Sequence, residues 1–248
     1  MTCQIRTRDH FYQSEDFESR GVVGYLVKFL ALSDIHGKLS SLQLIAEKVL
    51  AGQKIDAITV SGDISHYGDR AEVRRILDAL GSLSLPVFFV LGNCDPREAS
   101  DLSTEVAIQL ETRCEVCGGL LLTGAGGSTP TPFGTTFERD EEEIVSRIRA
   151  NLGSCGAESP GLYLLVHNPP YGTSLDRTAF GRHVGSRRLR ELIEAISPAA
   201  VQCGHIHEAA GVERIGGTVV FNPGPAMKGN YALVEVGAGG VTVSIGRA

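Results

Sequence analysis

Apolar runs that each end in a polar loop constrain this chain more than any other feature of its sequence. In the first half, residues 25–32, 58–60 and 86–91 are predicted strands. Between them, residues 39–50 and 70–80 carry apolar side chains at helical spacing. Strands that alternate with amphipathic helices predict βαβ units with largely parallel pairing, so the sequence is typical of an α/β fold.

The second half of the chain is less regular but continues this pattern. Residues 162–166 form a predicted strand and residues 186–196 a predicted helix. The glycine-rich residues 118–127 are strand-like, and strand patterns with Gly and Asn turns follow residue 207. The acidic run at 138–143 is predicted to be the first turn of a helix rather than a cation site, because the helix dipole stabilises carboxylates at a helix N-terminus.

The length of 248 residues is compatible with one layered domain. A chain of this size buries roughly 70–75% of its unfolded surface, so it needs neither disulfide nor metal merely to fold. Since no repeat or change in composition divides the chain, residues 22–248 are predicted to form a single domain. Residues 1–21 are predicted to be a polar N-terminal tail, for which disorder is one expectation, and residues 153–160 a surface turn.

Composition and charge exclude several classes of function. The chain is 42% hydrophobic and 21% charged, as is usual for soluble globular proteins. A net charge of −6 argues against an electrostatic grip on a nucleic-acid polymer. No apolar segment approaches the roughly 18–20 residues that span a bilayer, and the first twenty residues lack the apolar core of a signal peptide. We therefore expect no membrane partner, and the oligomeric state stays open.

The six cysteines do not make a disulfide framework in a chain of this length. Cys114 and Cys117 form a lone CxxC and are predicted to be ordinary, semi-buried small residues. A redox sensor built on this pair is a remote alternative. This cysteine usage predicts a reducing compartment, the cytoplasm.

The polar loops that follow the apolar runs contain residues that can hold metal ions. In chain order these clusters are Asp34-Ile35-His36, Gly62-Asp63, Gly92-Asn93-Cys94-Asp95, His167-Asn168 and Gly204-His205-Ile206-His207. Alone, each is a common turn or strand end and proves nothing. Because open α/β sheets place their sites at the carboxyl ends of strands, the five clusters can converge on one crevice.

Together the clusters supply the carboxylate, carboxamide and imidazole donors of a two-metal hydrolytic centre. Asp34 and His36 are two residues apart and can reach one metal, while Asp63 is the natural carboxylate to bridge two. The other predicted ligands are Asn93, His167, His205 and His207. Mixed nitrogen and oxygen donors suit Mn, Fe, Zn, Ni or Co. We expect two divalent transition-metal ions, with manganese favoured, and no organic cofactor.

The ordered set of clusters resembles the calcineurin-like metallophosphoesterase superfamily over about residues 24–235. Within it, residues 129–133, 183–186 and 222–225 are similar to a prokaryotic group related to the cyclic-nucleotide phosphodiesterase branch. The resemblance implies a four-layer α/β/β/α sandwich with two mixed β-sheets. It also implies hydrolysis of a phosphoester by a metal-bridging hydroxide.

The resemblance further implies a place for each ligand. The first metal would be held by Asp34, His36, Asp63 and His207. The second would be held by Asp63, Asn93, His167 and His205. Asp63 would then bridge the two ions.

Cys94 departs from the pattern of the superfamily. Members with Gly-Asn-His-Asp/Glu use that histidine near the leaving group, with the acid orienting it. A thiol is a weak proton donor and can ionise beside two cations. We predict Asn93, Cys94, Asp95 and His183 as catalytic residues, with acid catalysis weakened or moved to a group such as His66 or His183. The alternative is that Cys94 is a small residue tolerated at the pocket edge.

Less specific patterns indicate further contacts with substrate or ligands. Arg177, Arg182 and His183 surround residues 171–173 and could meet a substrate phosphate or base, or be solvated loop residues. Ser128 could line the pocket or serve a turn. Asn222 could support a ligand histidine.

The predicted function is that of a di-metal phosphodiesterase, a phosphoric ester hydrolase acting on a nucleotide-like or other small phosphodiester. The alternatives are a phosphomonoesterase and a non-catalytic protein-binding scaffold of the same fold. The scaffold is the weaker alternative because all ligand positions are filled.

Overall fold

The computed structural model of the protein describes residues 26–155 and 161–248. The helices are α1 (Leu39–Leu50), α2 (Arg70–Gly81), α3 (Glu141–Ser154) and α4 (Arg187–Ile196). The first six strands are β1 (Leu26–Leu32), β2 (Ala57–Ser61), β3 (Val87–Val90), β4 (Ala107–Gln109), β5 (Glu115–Cys117) and β6 (Leu120–Ala125). The others are β7 (Leu162–Val166), β8 (Ala200–Gln202), β9 (Gly211–Ile215), β10 (Thr218–Asn222), β11 (Asn230–Gly237) and β12 (Gly240–Arg247). The predicted tail lies outside the described residues.

The strands form two six-stranded mixed sheets. The first has the order β12-β11-β1-β2-β3-β4, and the second has the order β5-β6-β7-β8-β10-β9. In the first sheet β1 to β4 are parallel, and β11 and β12 add antiparallel pairs. In the second sheet β6, β7, β8 and β10 are parallel, with antiparallel β5 and β9 at the edges. Parallel pairing aligns the carboxyl ends of the central strands, which is where the predicted ligands occur.

Three apolar layers hold the four layers of secondary structure together. α1 and α2 pack their buried faces on the first sheet. The inner layer lies between the two sheets and contains Phe29, Phe88, Tyr163 and Phe221. α3 and α4 cover the outer face of the second sheet. The predicted α/β/β/α sandwich with two mixed sheets is confirmed.

Three of the four described helices, α2, α3 and α4, begin at side-chain caps that the sequence carries, whereas α1 has none. Asp69 accepts a hydrogen bond from the Glu72 backbone N–H at the start of α2. α3 starts at Glu141, capped by Asp140, so the acidic run is only partly its first turn and Glu138 lies before the helix. α3 also continues through Ser154, into the predicted surface turn. No described helix is long and apolar enough to cross a bilayer.

The prediction that Cys114 and Cys117 are ordinary small residues was wrong, because both are disulfide-bonded, and Cys114 pairs with Cys155. The bond joins the segment before β5 to the end of α3, 41 residues apart in sequence. Sequence spacing gave no signal of this pair because the two residues meet only when α3 packs on the second sheet. Since disulfides persist in oxidising surroundings, cysteine usage no longer argues for a reducing compartment.

Candidate metal centre

The predicted ligands lie on loops at the carboxyl ends of five strands. The loop after β1 carries Asp34 and His36, and the loops after β2 and β3 carry Asp63 and Asn93. The second sheet contributes His167 after β7, and His205 and His207 after β8. The ring of His36 lies against the ring of His207, and their centroids are 5.2 Å apart. The site therefore spans the line where the two sheets meet.

Asp63 is at the centre of these residues. One carboxylate oxygen, Oδ2, lies 3.6 Å from His36 Nε2, and the other, Oδ1, lies 3.5 Å from His167 Nε2. Oδ1 also accepts a hydrogen bond from the Cys94 backbone N–H at 2.8 Å. The side chain is almost completely buried. A carboxylate whose two oxygens face different imidazoles has the geometry of a bridging ligand.

Asp34, His36 and His207 form the first group of donors. Their ligand atoms all lie within 4.8 Å of one another. His207 Nε2 is 3.2 Å from His36 Nε2 and 3.3 Å from Asp34 Oδ1. Burial lowers the pKa of His36 to about 4, so its imidazole is neutral at physiological pH, as coordination requires. Burial raises the pKa of Asp34, but the hydrogen bond from His207 and nearby histidine charges outweigh it and lower that pKa to about 2.

His167 and Asn93 form the second group with Asp63. His167 Nδ1 lies 2.8 Å from the Ser61 carbonyl oxygen, to which it donates. Its Nε2 atom then carries the lone pair and lies 2.8 Å from Asn93 Oδ1. The His205 ring packs on the His167 ring with centroids 5.1 Å apart, and burial lowers the pKa of His205 to about 3.

The donor set fits divalent cations. Asp34 Oδ2 is buried and has no hydrogen-bond partner among the described residues, although a buried carboxylate oxygen normally has one. A cation at the first group would satisfy it. Neutral imidazoles together with ionised carboxylates are the ligands of Mn, Fe, Zn, Ni and Co.

Backbone strain is concentrated in these loops. Seven non-glycine residues in the described part of the chain have a positive φ, and five of them belong to the site or adjoin it. These five are Asp34, His36, Asp63, Tyr67 and His205. Each such conformation costs on the order of 1–3 kcal/mol and persists where the surroundings fix it. The loops are therefore held in shape rather than relaxed.

A close approach of two loops explains why glycine follows β3. A Cβ atom on Gly92 would lie 2.1 Å from the backbone nitrogen and from Oδ1 of Asp63. Any larger residue would therefore push the central carboxylate out of place.

The side chains of Asp95 and Asn222 hold the ligand loops in place through hydrogen bonds to the backbone of those loops. Asp95 is fully buried and accepts hydrogen bonds from the backbone N–H groups of Ile64, Ser65 and Gly92. The Asn222 amide donates to the Ile206 carbonyl oxygen at 3.0 Å, within the loop that carries His205 and His207. Asn222 thus supports the loop and not an imidazole ring.

Cys94 lies inside the site. Its sulfur belongs to a group with His36 and Asp63 whose ligand atoms are within 4.8 Å of one another. Only 7% of the residue is exposed. Burial, and then the charge of Asp63, raise the pKa of the thiol, so these protein groups favour the neutral form rather than a thiolate. The thiol of Cys94 therefore lies among the predicted metal ligands.

The remaining predicted contacts are distributed over three loops. His66 adjoins the first group, with Nδ1 3.2 Å from His36 Nδ1. His183 lies on the 171–185 loop, where its Nδ1 is 2.7 Å from the buried Asp176 carboxylate. Arg177 pairs with His183 through an isolated backbone bridge in this loop. Ser128 is buried, and its hydroxyl donates to a backbone carbonyl, which is turn chemistry.

Sequence reasoning did not find Ser61, Asp176 or Tyr67 as parts of the site. Ser61 acts through its carbonyl oxygen, which no residue type reveals. Asp176 is one of many acidic residues, and its burial at the base of a loop has no sequence signature. Tyr67 follows His66 directly, and that pair of polar aromatic residues was the available signal.

The layered sheets and the paired donor groups define a metallophosphoesterase. Residues 27–209 match the family model described as calcineurin-like phosphoesterase. The chain therefore belongs to the calcineurin-like phosphoesterase family, whose members use a dinuclear metal centre. Membership supports phosphoester hydrolysis as the class of reaction.

Relatives and solved structures agree with this assignment. The uncharacterized protein MJ1162 of Methanocaldococcus jannaschii is 34% identical over 206 residues, covering 80% of this chain and 88% of MJ1162. The crystal structure of TT1561 of Thermus thermophilus superposes with a TM-score of 0.67 at 19% identity, covering 90% of this chain and 99% of that chain. A dimetal phosphatase from Danio rerio gives 0.55 at 11% identity, covering 89% and 98%. At these identities the two structures show the fold.

Proposed function

We propose that this protein is a di-metal phosphodiesterase that hydrolyses a small, nucleotide-like phosphodiester. The observation that carries the proposal is the position of Asp63. Its two carboxylate oxygens face His36 and His167, which belong to separate groups of donors. This geometry favours two ions that share one carboxylate, as in two-metal hydrolases.

The chain's own residues prepare the donors for cations, with manganese as the proposed metal. When bound, the two ions would supply Lewis acidity that activates water and neutralises the charge on the phosphoryl oxygens. The Ser61 carbonyl oxygen fixes the tautomer of His167. Burial keeps His36 neutral, and the groups around Asp34 keep its carboxylate ionised.

The site residues on the loop after β3 have distinct tasks. Asn93 supplies an amide oxygen 2.8 Å from His167 Nε2. Asp95 positions the loop, and Cys94 places a small neutral thiol where related enzymes have a histidine. A small residue there leaves room for the second ester group of a diester.

The 171–185 loop is the proposed contact for the remainder of the substrate. It is fastened beside the site, since the Ala179 N–H donates to Glu208, the residue after His207. Its tip presents Arg177 and Arg182 around Phe180, which is 93% exposed. Guanidinium groups and an aromatic ring can contact a phosphate and a base. The chain's overall charge of −6 favours a small substrate over a nucleic-acid polymer.

The scaffold alternative is not supported by the geometry. A scaffold of this fold would have lost metal ligands, whereas the seven predicted ligand residues are present on adjacent loops. The small side chain of Cys94 is what favours a diesterase over the alternative, a phosphomonoesterase.

A metal and substrate screen tests the proposal. Manganese-loaded protein is expected to bind about two equivalents and to hydrolyse diesters faster than monoesters. Asp63→Ala is expected to lose metal and at least about 10³-fold in kcat/KM, because it removes the shared donor. Asp78→Ala, at an exposed carboxylate on α2, is the matched control and is expected to behave as wild type. Less than about one equivalent bound, with no hydrolysis of any ester, would instead favour the scaffold.

A further inference from the structure

The loop at residues 64–68 lies directly against the turn that carries Cys94. Asp95 binds the backbone N–H groups of Ile64 and Ser65 at 3.0 and 2.7 Å. Two residues further on, the Tyr67 N–H donates to the Cys94 carbonyl oxygen at 3.2 Å. The backbone of Tyr67 is therefore fixed beside the residue that replaces the superfamily's histidine.

The side chain of Tyr67 lies beside the site from this fixed backbone. Its ring packs edge-on against the ring of His66, with centroids 5.1 Å apart. His66 in turn contacts His36. The residue remains 54% exposed, so its hydroxyl is also accessible from solvent.

The backbone conformation of Tyr67 indicates that this placement is imposed by the loop. Its φ of 56° is in the left-handed region, which an aromatic residue rarely adopts. Residues held in such sparsely populated conformations cluster at active sites and ligand clamps. Burial of apolar surface does not explain it, because half of the residue is in solvent.

We propose that Tyr67 is the proton donor to the leaving group of the phosphodiester, in the place of the missing imidazole. This inference rests on the proposed function. In the step, the oxygen of one water forms a bond to phosphorus while the bond between phosphorus and the leaving oxygen breaks, and the leaving oxygen takes the proton from Tyr67 Oη. The phenolate regains the proton that the attacking water gives up. One water is consumed, and an alcohol and a phosphomonoester are released.

Tyr67 is better placed for this task than the other donors near the site. The Cys94 thiol is buried, and His66 is engaged with His36. His183 Nδ1 is held by Asp176 on a different loop. A phenol, with an ordinary pKa of about 10, is a stronger acid than an alcohol, whose pKa is close to that of water at about 16. Transfer to an alkoxide leaving group is therefore favourable.

The test is the dependence of hydrolysis on the leaving group. The kcat/KM for methyl phosphodiesters, with leaving groups that range from p-nitrophenol to simple alcohols, is measured for each enzyme. The enzymes are wild type, Tyr67→Phe, His183→Gln and Tyr231→Phe. For Tyr67→Phe we expect an unchanged rate with p-nitrophenol and a loss of about 10²–10⁴-fold in kcat/KM with alcohols. Tyr231→Phe removes a hydroxyl from the first-sheet core and is expected to match wild type. Bound metal per chain, measured by mass spectrometry, is expected to be equal in wild type, Tyr67→Phe and Tyr231→Phe.

Each other result decides against the proposal. The same loss for every leaving group, or reduced metal content in Tyr67→Phe, would make Tyr67 a positioning residue. No loss at all would remove it from the reaction. A loss confined to alcohols in His183→Gln but absent in Tyr67→Phe would assign the proton to His183. A metal-loaded wild type that hydrolyses no ester would overturn the proposed function itself, whereas an active wild type with an unaffected Tyr67→Phe overturns only the role of Tyr67.

Discussion

At the scale of single residues, Asp95 shows how a predicted catalytic group can act through the backbone. The Ser65 hydroxyl and three backbone N–H groups donate to its two oxygens. These contacts join the loop after β2 to the loop after β3, which carry Asp63 and Asn93. These hydrogen bonds give Asp95 the contacts of a positioning residue, because each of its oxygens already accepts two.

Replacing Asp95 by Asn tests this positioning role. An amide nitrogen cannot accept a hydrogen bond, so at least one buried N–H loses its partner and faces another donor. We expect the free energy of unfolding to fall by about 1–3 kcal/mol. The melting temperature should then fall by about 2–4 °C for each kcal/mol. The measurement belongs near pH 8, above the pKa of about 6 to which burial, and then Asp63, raise this carboxyl.

Asp78→Asn, on the exposed face of α2, is the control for Asp95→Asn and is expected to unfold like wild type. An unchanged melting temperature together with a large loss of turnover would instead favour a direct catalytic role for Asp95.

Residue types at strand ends predicted which side chains meet at the site, but not the contacts that support them. Asp34, His36 and Asp63 stand in loops whose chemistry the sequence displays. The partner that sets the tautomer of His167 is a backbone carbonyl, and every residue has one. Such contacts depend on the positions of neighbouring loops, so they are visible in the structure but cannot be predicted from residue types.

At the scale of secondary structure, regular elements were predicted where a period could be read. α1 covers Leu39–Leu50 as the helical spacing predicted, and β7 covers Leu162–Val166. β4 and β5 have three residues each, too few to show an alternation, and were not predicted. Their positions are fixed by pairing with β3 and β6.

Glu138 is an element-scale exception because it organises the loop before α3 instead of joining the helix. Its Oε1 atom accepts hydrogen bonds from the backbone N–H and the hydroxyl of both Thr131 and Thr135. The Phe137 N–H, one residue earlier, donates to the Asn93 carbonyl oxygen. The loop is thus closed on itself and attached to a ligand loop.

These contacts predict how acid affects stability. Burial raises the pKa of Glu138, but the hydrogen bonds from Thr131 and Thr135 outweigh it and lower that pKa from 4.5 to about 2. A carboxyl with a depressed folded-state pKa contributes stability that is complete above pH 4.5 and is lost as the pH falls to about 2. Glu138→Gln keeps an acceptor oxygen but does not titrate. Its stability deficit against wild type, from urea unfolding, should therefore shrink across this window.

Glu142→Gln, at an exposed position in the first turn of α3, is the control for Glu138→Gln. Its difference from wild type is expected to change less over the same pH range. If the stability deficit of Glu138→Gln stayed constant with pH, the hydrogen bonds from Thr131 and Thr135 would not be stabilising the ionised form of Glu138.

At the scale of the whole molecule, the sandwich was predicted by resemblance and not by local pattern. The antiparallel pairing of β11 with β1 brings together residues about two hundred positions apart, such as Leu26 and Gly237. The Cys114–Cys155 disulfide depends on the same kind of long-range packing. Two predictions stay untested: that residues 22–248 form one domain, and that the protein is located in the cytoplasm.

The disulfide is expected to stabilise the second half of the fold. It closes a 41-residue separation, and bonds of this kind contribute about 2–4 kcal/mol. The double variant Cys114→Ala with Cys155→Ala should lower the melting temperature by roughly 4–16 °C, with metal content unchanged. Alkylation and mass spectrometry of the unreduced protein would confirm the bond. A Cys203→Ala variant, which removes a buried thiol outside the disulfide, is the comparison. Equal melting temperatures for wild type and the double variant would contradict the expectation.

His36 and His207 face each other across the line between the sheets, although 171 residues separate them in the chain. The entropy lost in bringing such distant donors together is lost when the chain folds, and not when an ion arrives. The protein is in this sense a chelator whose preorganisation is its tertiary structure. Affinity for the ions is consequently a property of the whole sandwich, and a substitution in the layer between the sheets can weaken it without touching a ligand.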